Sequence, residues 1–276
     1  MLARISLALL LLPITFSPSS GEEVRGRVQP GQSSNEIELV LSDTEIIGPL
    51  QIGPGDAAIN YEGKEIVGDL TTVGDAPFLR GIWPDNELKR NAMAGVNRSL
   101  IRQSASLGRS DTLTRGDYLP DFALYNQWGA AVFSSQLRKS PTVLTFLFTR
   151  CADPMMCPAT AARLADLGRT FADRGWDDVQ LVAVSFDPEN DTPGVLNQYG
   201  EATGMDTPAF QLLTGDPEAI EALLRVTGVR TLDQDGTIVH NLVTLLTDDH
   251  GRVILRQDGS RWSAEAIEAR LESTRK

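Results

Sequence analysis

The sequence predicts an α/β fold preceded by a smaller β-rich domain. Three observations carry this. Thr142–Phe148 and Leu181–Ser185 are near-continuous apolar runs of strand length, as expected of strands buried on both faces. Helical stretches at Ala161–Arg174, Val195–Ala202 and Pro217–Val226 separate such runs, and strand–helix–strand alternation builds a sheet with helices on its faces. The region before Trp83 instead has short alternating runs punctuated by Gly and Pro, the pattern of a small barrel or sandwich.

In chain order, residues 1–20 read as a signal peptide or short anchor. Arg4 supplies the positive start, and the apolar run Ile5–Phe16 is short against the roughly 20 residues a spanning helix needs. Ser17, Ser19, Ser20 and Gly21 are small enough for a cleavage site. No cysteine follows the run, so a lipid anchor is not expected. Either reading places the chain in the periplasm or otherwise outside the cytoplasm, with membrane association through the N-terminus under the anchor reading.

Residues 21–84 form the expected β-rich domain, with strand-like runs at Glu36–Leu39, Ala58–Tyr61, Glu65–Leu70 and Phe78–Trp83. Gly53-Pro54-Gly55 lacks the later glycine of a dinucleotide fingerprint and is a turn signal. Residues 85–117 are a connector, helical where Leu88, Met93, Val96, Leu100 and Ile101 fall near helical spacing. The α/β domain follows at 118–276. Its last strands flank Asp248-Asp249-His250-Gly251, a hairpin turn that leaves His250 in solvent. Trp262–Ser273 is a closing helix with Ile267 and Leu271 facing the core.

The net charge of −12, from Asp+Glu 37 against Lys+Arg 25, repels phosphate backbones, and no nucleic-acid partner is expected. With two histidines and two cysteines in 276 residues, multi-histidine zinc sites and zinc fingers are excluded by count.

Both cysteines lie in one segment, Phe148-Thr-Arg-Cys151-Ala-Asp-Pro-Met-Met-Cys157-Pro158, between a buried strand and a helix. Ligand sites of open α/β sheets gather at such carboxyl ends of strands. Pro158 suits the first helical position and so places Cys157 at the helix N-terminus, where free N–H groups and the dipole favour a thiolate; Arg150 adds positive charge. A five-residue gap allows both sulfurs to face one ion or to close a disulfide. A purely structural disulfide over so short a loop would contribute only roughly 2 kcal/mol by loop entropy.

Residues 119–273 resemble the Sco/SenC family, thioredoxin-fold copper chaperones for cytochrome c oxidase assembly. Leu119-Pro-Asp-Phe-Ala-Leu124, Thr145-Phe-Leu-Phe-Thr-Arg-Cys151 with Cys157-Pro158, Ser185-Phe-Asp-Pro-Glu-Asn-Asp-Thr-Pro193, Leu213-Thr-Gly-Asp-Pro217 and Val239-His240-Asn-Leu-Val-Thr-Leu-Leu246 carry the likeness, in order. The resemblance implies a thioredoxin-like C-terminal domain and a copper site of Cys151, Cys157 and His240. Two thiolates and an imidazole suit Cu(I). It also implies an extracytoplasmic metallochaperone, with the oxidase copper subunit or another copper acceptor as partner and a thioredoxin-like reductant for its thiols. The alternative is a thiol–disulfide oxidoreductase in which Cys151 and Cys157 are catalytic; a third reading is a non-catalytic envelope protein with a structural disulfide. The sequence departs from the family in having five residues between the cysteines where three are usual. Met155 and Met156, in that gap, are soft enough to add a ligand or to cover the site. Asp187 is expected to orient or shield the site without binding metal.

Overall fold

A computed structural model describes residues 21–42, 45–108, 111–234 and 237–275; the signal or anchor expected at 1–20 lies outside the described residues. Strands β1 (Glu22–Pro30), β2 (Glu36–Ser42) and β3 (Glu45–Gln51) are followed by a one-turn helix α1 (Pro54–Ala57) and by β4 (Glu65–Val73) and β5 (Ala76–Pro84). The five strands close into a barrel in the order β1-β2-β3-β5-β4, with β4 pairing back onto β1. Alternation explains the closure. Val24 and Val28 of β1, Ile37 and Leu39 of β2, Ile66 of β4 and Leu79 and Ile82 of β5 point inward into one apolar cluster.

Ala58–Tyr61 is not a strand, contrary to the sequence expectation. Pro54 starts a helical turn, and the amides of Ala58 and Ile59 donate to the carbonyls of Pro54 and Asp56. The apolar residues are there to plug the barrel: Ile59 and Tyr61 are buried in its cluster.

Helix α2 (Glu87–Ser106) starts at Asn86, whose side chain accepts from the Lys89 amide at 2.9 Å. Met93 and Leu100 are buried, whereas Leu88 is exposed. The helix does more than connect. It packs along the later helix α6 (Pro217–Thr227), and buried Asn97 bonds both backbone groups of Ala123 at 2.9 Å.

The α/β part comprises β6 (Ala123–Asn126), β7 (Ala131–Phe133), α3 (Ser134–Leu137), β8 (Thr142–Leu147), α4 (Cys157–Asp173), β9 (Gln180–Ser185), α5 (Pro193–Thr203), β10 (Phe210–Thr214), α6, β11 (Thr231–Gln234), β12 (Thr237–His240), β13 (Val243–Thr247), β14 (Val253–Asp258) and α7 (Ala264–Thr274). Seven strands form one sheet in the order β14-β13-β8-β9-β10-β6-β7. The central β8, β9 and β10 are parallel, and the pairs outside them are antiparallel. Every residue of β8 is buried, as its apolar run demands. Ile267 and Leu271 of α7 are fully buried. The separate β11–β12 hairpin carries His240 at its end. Among the described residues, no helix is long and apolar enough to cross a membrane.

Candidate metal centre

Strand β8 runs outward through the buried Phe148 into the cysteine loop. The loop turns at Asp153, whose carbonyl accepts from the Met156 amide at 3.1 Å, and α4 begins at Cys157. Pro158 is therefore the second helical residue, one later than the sequence suggests. Both cysteines are free thiols, Cys151 half-buried and Cys157 buried.

The β12 strand delivers the third group. His240 Nε2 lies 3.5 Å from Cys157 Sγ, and its Nδ1 lies 3.0 Å from the Asn241 carbonyl. A carbonyl can only accept, so Nδ1 carries the proton and the Nε2 lone pair of the neutral ring faces the sulfurs. The ring is held by Phe186, with centroids 4.7 Å apart, and by the edge of Phe148 at 5.8 Å. One ligand atom from each of Cys151, Cys157 and His240 lies within 4.8 Å of the other two.

Burial governs the protonation of these groups. It lowers the His240 pKa below its ordinary value of 6.5, with the Asn241 carbonyl opposing, so the ring stays a neutral donor. It raises the Cys157 thiol, and this corrects the sequence expectation of a favoured thiolate. Cys157 does lie in the first turn of the helix, as expected, but no solvent reaches the sulfur. Desolvation outweighs the N–H groups around it, including a backbone hydrogen bond from Phe148. A soft cation held there would offset the lost hydration of the thiolate, and its binding would displace the thiol proton.

Two buried carboxylates brace the loop. Asp187 accepts from Arg150 Nη2 at 2.8 Å and Nε at 3.0 Å, and from Asn190 Nδ2 at 2.8 Å. Arg150 is thus turned to Asp187, outside the cluster of ligand atoms. Asp191 accepts from the amide and hydroxyl of Thr149 and the hydroxyl of Ser185, tying the loop to the end of β9. Sequence reasoning did not single out Asp191, Thr149 or Phe186; their only signal was membership in the quoted blocks. Met155 is exposed and Met156 half-buried. His250 sits in the expected turn, its side chain 78% exposed and 2.7 Å from Asp249.

A family model described as SCO1/SenC matches residues 110–275. The chain belongs to the SCO1/SenC family. It is 24% identical over 144 residues to the SCO1 protein homolog of Bacillus subtilis, covering 50% of this chain and 72% of that one. It spans 37% to 66% of the length of related Rickettsia, Arabidopsis and bovine proteins. Among solved structures, Arabidopsis thaliana ScoI with copper bound matches 58% of this chain and all of its own, at 24% identity and a TM-score of 0.50. BsSco, described as a disulfide-switch member of the Sco family of cytochrome c oxidase assembly proteins, matches 59% and 95% of the two chains at 25% identity, also with a TM-score of 0.50. The α/β part therefore has the thioredoxin-like Sco fold. The barrel precedes the matched region.

Proposed function

We propose that this SCO1/SenC protein is an extracytoplasmic metallochaperone that binds one Cu(I) through Cys151, Cys157 and His240 and passes it to an acceptor in cytochrome c oxidase assembly. One observation carries the reading: two sulfurs and an imidazole nitrogen, from segments 83 residues apart, lie within bonding reach of one ion. That donor set is soft and small in number, which favours Cu(I) over harder divalent ions. The copper-bound Arabidopsis relative supports the choice of metal, and the BsSco description supports oxidase assembly as the setting. The cargo binds with loss of the thiol protons, so affinity falls as pH falls. Half-exposed Cys151 is the ligand from which an acceptor thiolate takes over, by ligand exchange. The histidine is held by aromatic packing as well as by any metal, so copper leaves an ordered site.

Titration of the reduced chain with Cu(I) against a competing chelator tests this. One copper per chain is expected, and His240→Ala, which removes a ligand, is expected to lose at least the roughly 10- to 100-fold in affinity that outer-shell changes cost. Equal affinity and an unchanged X-ray absorption spectrum in His240→Ala would remove the histidine from the site.

A second reading has support of its own. The two free thiols form a dithiol with one accessible member, the arrangement of a thiol–disulfide exchanger. Cys151 would attack a partner disulfide, Cys157 would resolve the mixed disulfide, and the partner would leave as a dithiol. The oxidised pair cannot hold Cu(I), so a thioredoxin-like reductant would return the chain to its metal-binding form.

A further inference from the structure

We infer that Asp56, in the barrel, is a positioning residue that latches the barrel onto the first turn of α5 and steadies the cysteine loop beyond it, with a grip that depends on pH. The contact is close. A Cβ added at Gly55 would lie 1.9 Å from the Gly194 carbonyl oxygen, and one added at Gly194 would lie 2.2 Å from Asp56 Oδ1. Two glycines thus allow backbone to meet backbone, with the Asp56 carboxyl laid on the start of α5. That start leads directly to the metal centre. Thr192 caps α5 and follows Asp191, whose carboxyl holds Thr149, two residues before Cys151.

The carboxyl is also poorly provided for. Asp56 is only 9% exposed, and its Oδ1 has no hydrogen-bond partner. Burial raises its pKa from 3.8 to about 7, tempered by Tyr61. The surrounding elements supply little charge. Lys64 lies over the Tyr61 ring, 6.0 Å from its centre, and the Gly129 turn packs on Tyr61 without a titratable group. Helix α5 carries Tyr199 and the exposed Glu201, and neither perturbs Asp56.

The sign follows from linkage. The docked carboxyl binds its proton more tightly than a solvated one, so docking is strongest below pH about 4. It weakens by up to about tenfold per pH unit as pH rises to about 7, and then levels off. This holds whichever ion or disulfide the cysteines carry.

Hydrogen exchange of the full reduced chain, read by mass spectrometry on residues 193–203 as protection factors from pH 5 to 8.5, tests the latch. The natural chain should lose roughly 10- to 100-fold in protection between pH 5 and 7 and little above. Asp56→Asn, which keeps the shape and cannot ionise, should hold the acid value throughout. Its Cys151 alkylation rate at pH 8 should fall below that of the natural chain. Gly194→Ala should lose protection at every pH, although alanine by propensity favours the helix. Identical pH profiles for the natural chain and Asp56→Asn, or higher protection in Gly194→Ala, would overturn the inference, and the second result decides the matter even if Asp56→Asn does not fold.

Discussion

Replacing Asn97 by alanine probes what holds α2 to the sheet. Pairing of β10 with β6 is confined to Tyr125 and Asn126; at Ala123 the Asn97 side-chain amide substitutes for a strand, donating to the carbonyl and accepting from the amide, both at 2.9 Å. Asn97 is 2% exposed and Ala123 is fully buried, so water cannot replace the lost partner without opening the contact. Two backbone groups would be orphaned at about 1–3 kcal/mol each, for a total of about 2–6 kcal/mol. Asn97→Asp keeps the acceptor, loses the donor and adds a buried charge; it should cost at least as much. Equilibrium urea unfolding of the full chain, followed by far-UV circular dichroism, measures both. A loss below about 1 kcal/mol for Asn97→Ala would mean that these bonds do not anchor the helix.

The remaining predictions concern the site. Iodoacetamide at pH 8 should label Cys151 of the reduced chain at least about 100-fold faster than Cys157, because burial both shields Cys157 and raises its thiol; peptide mapping that finds equal rates contradicts the assigned order of attack. Stability should show the His240 shift. Its pKa is lowered in the folded chain, so its neutral-state contribution is complete above pH 6.5 and is lost as pH falls through the folded value. The stability gap between the natural chain and His240→Ala should therefore narrow below pH 6.5, and a widening gap in thermal melts would refute this.

The α/β part was legible because its signals are local. Thr142–Phe148 is apolar throughout since β8 is covered on both faces, and that requirement is written residue by residue. The barrel was legible at Glu36–Leu39 and Glu65–Leu70, where inward and outward positions alternate. At Ala58–Tyr61 the same apolar content misled, because burial as a plug and burial in a strand demand the same residue types over so short a span. The structural part of α2 was hidden for a different reason. Asn97 and Ala123 meet only through the tertiary fold, and a polar residue in a polar helix gives no sign that it is buried.

The cysteine loop separates what position reveals from what solvation decides. The strand–helix junction was readable from Pro158 and the preceding apolar run, and the family likeness supplied His240, which no spacing rule reaches from the cysteines. The charge state of Cys157 was not readable. A helix start favours an anion only to the extent that its N–H groups outweigh lost hydration, and besides the nearby Phe148, the walls that exclude water here include Phe186 and the β12 end, from distant segments. With its thiol raised and its neighbour imidazole neutral, the pocket offers paired lone pairs and, among the described residues, no cation, since Arg150 is engaged by Asp187. A site so built is a poor thiolate reservoir in the absence of a cation, and an incoming soft monovalent ion must itself displace the proton. That is why acid should release a bound soft ion sooner from this buried pair than an exposed cysteine pair of equal spacing would.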